Sequence, residues 1–141
     1  MNSEYLYFRQ EKDRTCCLKE DGSFVFLEGK PVRILNEMCL ACGSTLQGRT
    51  DAVRILLGIR QKPPVLISER TAEIWFGTTG MNSEDCEWLS WQKILHIAKN
   101  GSISTVTFMN GISISVSADV RTLRLQAERC RQILQIILKN T

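Results

Sequence analysis

Six cysteines, one histidine and a scatter of arginines are the side chains of this 141-residue chain best suited to chemistry. His96 sits in Ile94-Leu95-His96-Ile97, an apolar setting. A hydrolase would pair it with Cys39, Cys42 or Cys86 and an acid such as Asp85, but no recognisable nucleophile motif surrounds these thiols. A buried or half-buried structural histidine is the expectation, and no enzyme activity is expected. Cys39-x-x-Cys42 has the spacing of half a zinc knuckle, in which one tight turn supplies two thiolates to a tetrahedron. The second pair is missing, and Cys86 with His96 would complete a Cys₃His set only if the fold happened to bring them there. The preferred reading makes Cys39 and Cys42 small residues of a packed turn, with no metal and no cofactor. No β-α-β pattern around the pair suggests redox exchange, and the nine glycines form no phosphate-cradling loop.

Cations offer a different chemistry. Arg49 follows Gly48, Arg54 and Arg60 come next, and Lys62 precedes two prolines. Basic side chains on small or kinked backbone can approach phosphates closely, and arginine suits a narrow, electronegative groove. Scattered arginines are more commonly solvated surface, and no helix-turn-helix, zinc-finger or RNA-recognition signature is present. Net charge is +3, and its excess lies in one segment. From Ala118 onward five basic residues face two acidic ones, while the rest of the chain is balanced. That segment is either a nucleic-acid patch or a solvated helix face.

These residues must be positioned by a small set of elements. The length suits one domain, residues 1–141, and hydrophobic (43%) and charged (23%) contents are ordinary for a folded chain. Tyr5–Phe8, Thr15–Leu18, Phe24–Leu27 and Val32–Leu35 read as short strands of an antiparallel meander, with a turn at Asp21-Gly22. Thr50 is placed to cap a short central helix running to Gly58. Lys62-Pro63-Pro64 cannot be helix interior. Val65–Ile67 and Glu73–Phe76 pair across Glu69-Arg70, and Gly77–Glu87 is a polar loop. Trp88 starts a strand continuing through Ile97. Val106–Met109 and Ile112–Val116 flank Asn110-Gly111, the signature of a type I′ hairpin. Ile112, Ile114 and Val116 alternate with Ser113, Ser115 and Ser117, which predicts one buried and one wet face.

Ser117 or Asp119 caps a long C-terminal helix to about Lys139. Its stripe Val120, Leu123, Ala127, Cys130, Leu134 and Ile137 must pack on the sheet, and Ile133, Ile136 and Leu138 are surplus apolar width for a dimer contact. The fold class is therefore α+β: an antiparallel sheet, a short central helix and a long C-terminal helix packed on the sheet. No apolar run is long enough to span a bilayer, and the N-terminus has no signal-peptide layout, so a cytosolic location with free thiols is expected.

Read in order, Gly43-Ser44-Thr45, Gly48-Arg49, Lys62-Pro63-Pro64, Ile74–Phe76, Cys86-x-Trp88-Leu89-Ser90 and Thr107-Phe108 with Asn110-Gly111 resemble the core of the ComK family, the bacterial competence transcription factors. The resemblance runs from about Ile34 to Val116. It implies a cytosolic regulator that binds AT-rich double-stranded promoter DNA with minor-groove contact. It also implies a homodimer or higher oligomer, and control by a proteolytic adaptor protein. Under it, Arg49, Arg54, Arg60 and Lys62 are the DNA contacts. The competing expectation is a PH-like protein-interaction or ligand-binding module without DNA binding.

Overall fold

β1 (Tyr5–Glu11), β2 (Arg14–Lys19) and β3 (Phe24–Glu28) form the anticipated antiparallel meander. The computed structural model describes residues 3–139. In it the meander joins β4 (Val65–Ser68), β5 (Glu73–Gly77) and β6 (Glu87–Ser90) in one six-stranded sheet of order β3-β2-β1-β6-β5-β4. A second sheet, β7 (Ile94–Asn100), β8 (Ile103–Phe108) and β9 (Ser113–Val116), has the order β7-β8-β9.

Apart from its edge strand β3, the large sheet is covered on both faces. Tyr7, Leu18, Leu66, Ile74, Phe76 and Leu89 point to one side and pack with Val106, Phe108 and Val116 of the second sheet and Leu123, Cys130 and Ile133 of α3 (Val120–Lys139). Their neighbours Phe8, Cys17, Val65, Ile67, Trp75 and Trp88 point the other way, against Ile34, Leu35 and Cys39 of α1 (Pro31–Ala41). This double coverage explains why every residue of β4 and β5 is buried rather than every second one. Phe8 stacks on Trp75 with ring centroids 4.4 Å apart, a pairing worth about 1 kcal/mol beyond its buried area.

Helix α2 (Leu46–Leu57) lies against the β4 edge. Its Leu46 enters one core and its Val53 the other, so it covers a strand edge that would otherwise offer unpaired backbone. Thr45 caps it, its side chain accepting from the Gly48 amide at 2.9 Å. The helix therefore starts earlier than the Thr50 cap anticipated. Thr50 is buried inside it, its hydroxyl donating to the Leu46 carbonyl at 3.0 Å.

Three other expectations are corrected. Val32–Leu35 is the first turn of α1, not a strand: Pro31 at the helix start fixes φ, and Ile34, Leu35 and Cys39 bury one face at helical spacing. Trp88–Ile97 is two strands in different sheets, broken by a 3₁₀ turn at Trp91–Lys93. The Asn110-Gly111 hairpin has positive φ only at Gly111 (+90°), and the Phe108 amide donates to the Ile112 carbonyl, so the loop is one residue longer than a type I′ turn. Asn110 is instead a tether, donating to the Glu20 carbonyl at 2.6 Å across to the large sheet. The alternation beyond it stands: Ser113, Ser115 and Ser117 are exposed and Val116 is fully buried. Asp119 caps α3, accepting from the Thr122 amide at 2.7 Å.

Candidate nucleic-acid interface

The chain leaves α2 through Gly58, whose left-handed φ of +63° turns the backbone while its amide caps the Arg54 carbonyl. Residues 59–64 then make a tight return to β4. Pro63 and Pro64 are buried and lack amide donors, so this stretch cannot be held by ladder hydrogen bonds. Side chains hold it instead. Arg54 Nε donates to the Arg60 carbonyl at 3.1 Å, and Arg129 Nη1 donates to the Gln61 carbonyl at 2.9 Å. Buried Gln126, 1% exposed, donates to the Lys62 carbonyl at 3.0 Å and to the Gly77 carbonyl at 2.9 Å.

Three of the four anticipated cations meet here. Arg54 reaches the turn while keeping an ion pair with Asp51 at 3.3 Å. Arg60 is exposed and Lys62 half-exposed, and neither side chain has an ion pair or hydrogen bond among the described residues. Lys62 carries φ of +52°, a left-handed conformation for a side chain with a Cβ and one placed directly before proline.

Arg49 is set apart. It lies five positions before Arg54 on the same helix, about 140° around it. Its Nη1 pairs with Glu69 Oε1 at 2.8 Å, its side chain is 15% exposed, and its Nε is buried without a hydrogen-bond partner. It also faces Cys39, whose thiol is pushed up to about 11 by burial, with the Arg49 charge partly opposing.

Two residues of the site were missed from sequence, Gln126 and Arg129. A signal existed for the first: Gln126 interrupts the apolar series Leu123, Cys130, Ile133, and a polar residue there must find buried partners. Arg129 had no local signal for a role at the turn, since the Gln61 and Lys62 carbonyls it reaches lie more than sixty positions away.

The thiol and imidazole groups are dispersed. Cys39 and Cys86 are buried, Cys42 is exposed at the end of α1, and among the described residues no group of three or more His, Cys, Asp or Glu side chains is placed to hold a metal. His96 is exposed on β7, contrary to the expected burial, because a register shift between Ile94 and His96 breaks the strand's alternation and leaves Ile94 and Ile97, not His96, packed against the core. Ile133 is likewise core, 1% exposed, and leaves the proposed dimer surface; Ile136 is half-buried and Leu138 is 65% exposed.

The sequence profile of the ComK protein family matches residues 6–141. This chain belongs to the ComK family. The match runs from β1 through α3 and takes in the 59–64 turn, Gln126 and Arg129, a wider span than the motifs alone suggested. A relative described as competence transcription factor, from Bacillus subtilis (strain 168), is 24% identical over 123 residues. The aligned stretch is 85% of this ComK-family chain and 64% of the relative. No solved structure matches. No helix among the described residues is long and apolar enough to cross a membrane.

Proposed function

We propose that this chain is a competence-type transcription regulator that binds AT-rich duplex DNA, with Arg54, Arg60 and Lys62 on the 59–64 turn as its backbone and minor-groove contacts. The observation that carries the reading is the turn itself. Two cations without carboxylate partners among the described residues stand beside a third, on backbone tethered from α2 and α3. A pre-ordered basic turn meets phosphates without first losing the freedom of a loose loop. Membership of the ComK family and the name of the Bacillus subtilis relative support the same reading. Each phosphate neutralised releases condensed counterions, so three to four contacts give an affinity falling with log salt at a slope of about −3. AT-rich preference follows from the narrow, strongly negative minor groove of such sequences, which attracts Arg and Lys.

Arg49 belongs to the proposal as a second contact whose availability depends on Glu69. The pair is formed with an exposed carboxylate, and a phosphate can replace that partner. The proposed assembly is a homodimer through the outer side of α2, where Ile55 is 82% exposed, and the end of α3, where Leu56, 53% exposed, lies beside Ile136.

A competition gel shift of AT-rich against GC-rich duplexes over a salt series tests the reading. Preferential AT-rich binding with a slope near −3 supports it. Equal, salt-insensitive or absent binding of both duplexes overturns it.

A further inference from the structure

The guanidinium of Arg129 is used on one side only. Nη1 donates to the Gln61 carbonyl at 2.9 Å, to the Lys62 carbonyl at 3.4 Å and to Gln126 Oε1 at 3.0 Å. Nε and Nη2 make no hydrogen bond among the described residues, no carboxylate pairs with the group, and the side chain is half-exposed. A guanidinium presents its donors as a rigid planar fork. Pinning Nη1 therefore fixes where Nε and Nη2 point, while leaving the full positive charge uncompensated.

Gln126 completes the device. Its amide is buried, and all of its hydrogen bonds go to the turn, to Arg129, or to the Gly77 carbonyl that ends β5. The Lys62 carbonyl receives both Gln126 and Arg129, which holds Lys62 in a left-handed conformation that costs free energy on its own. Strained backbone of this kind persists where surrounding groups over-determine it. Here the groups doing so come from a different helix, 64 and 67 positions on.

We propose that Arg129 is a phosphate contact of the site, its Nη1 anchored to the 59–64 turn and its free edge facing the DNA backbone, and that Gln126 is the positioning residue that sets the turn and the Arg129 fork together. The inference rests on the DNA-binding reading above. It adds a contact from α3 to those from α2 and the turn, so that one phosphate run is gripped by elements more than sixty positions apart in the chain.

Two arms test it. The first uses no DNA: limited trypsin digestion follows cleavage after Arg60, the bond the anchored turn protects. Gln126→Leu and Arg129→Ala are expected to be cut there several-fold faster than the starting protein, at unchanged far-UV circular dichroism. The second measures duplex affinity by fluorescence anisotropy across salt. Arg129→Ala is expected to bind AT-rich duplex about tenfold more weakly and to lose about one unit of salt slope. Arg129→Lys restores the slope because the charge returns, whereas Gln126→Leu weakens binding with the slope unchanged. If Gln126→Leu does not fold, Gln126→Met takes its place, and the two Arg129 variants still decide the contact. Arg129→Ala with the starting affinity and slope, in a protein that binds duplex, overturns the Arg129 contact alone. Unchanged trypsin cleavage in every variant overturns the anchoring. A starting protein that binds no duplex overturns the DNA reading and the contact with it, and the trypsin arm then still reports on the turn separately.

Discussion

Replacing Lys62 by glycine and, separately, by alanine separates its two roles. Both changes remove the ammonium. Only glycine also removes the Cβ that makes φ of +52° costly. A non-glycine residue in the left-handed region pays about 1–2 kcal/mol. Glycine returns part of that gain, about 0.4–1 kcal/mol, because its unfolded chain has more conformations to lose. The Lys62 carbonyl keeps its Gln126 and Arg129 donors in both variants, since those bonds go to backbone. Lys62→Gly is therefore expected to be about 1 kcal/mol more stable than Lys62→Ala, which for a domain of this size raises the thermal midpoint by about 3 °C. Thermal unfolding followed by circular dichroism reads the difference. Both variants are expected to lose about one unit of salt slope in duplex binding. A glycine variant equal to or less stable than the alanine one refutes the strain argument. Slopes unchanged in both refute Lys62 as a contact.

Other outcomes follow from the same geometry. Glu69→Gln frees Arg49 from its 2.8 Å partner and is expected to raise duplex affinity about two- to fivefold at low salt in anisotropy titrations; lowered affinity would show that the ion pair itself is needed. With Ellman's reagent at pH 8, exposed Cys42 is expected to react fast and the five buried thiols only on unfolding. Burial pushes Cys17 up to about 12 and Cys39 up to about 11 from a usual value of 9.0. The unfolded chain therefore releases those protons first, and chemical-denaturation midpoints are expected to fall as pH rises above about 9. Asp119→Ala removes the α3 cap at 2.7 Å and is expected to cost about 1 kcal/mol by urea unfolding.

Local chemistry made much of this fold readable. Short strand-forming windows bounded by turn residues placed β1 to β3 and β8, alternation placed β9, the paired prolines ended α2's return loop, and Asp119, one of two candidate caps, marked the start of α3. What failed was arbitration between short apolar windows: Val32–Leu35 fits a strand until Pro31 and Cys39 are included, and then helical spacing wins. The break between β6 and β7 had no proline or glycine to announce it, because a 3₁₀ turn at Trp91–Lys93 makes the sheet change. The cations of the candidate site were visible as residue types, but their grouping was not. Arg54 reaches the Arg60 carbonyl locally, but the Gln61 and Lys62 carbonyls are held by Gln126 and Arg129 from a distant helix, and Arg49 diverges because helical geometry rotates it toward Glu69. Long-range partners of this kind leave no local pattern. Ile133 illustrates the same limit, since an apolar residue at the margin of a stripe is core or surface according to how the helix is rolled on its sheet.

Lysine acetylation with and without AT-rich duplex, read by mass spectrometry, tests the site most directly. Lys62 is expected to be protected several-fold by the duplex, while exposed Lys30 and Lys99, distant in the sequence and on other elements, keep their reactivity. Uniform reactivity at all three lysines under conditions where the duplex is bound would contradict the placement of DNA on the 59–64 turn.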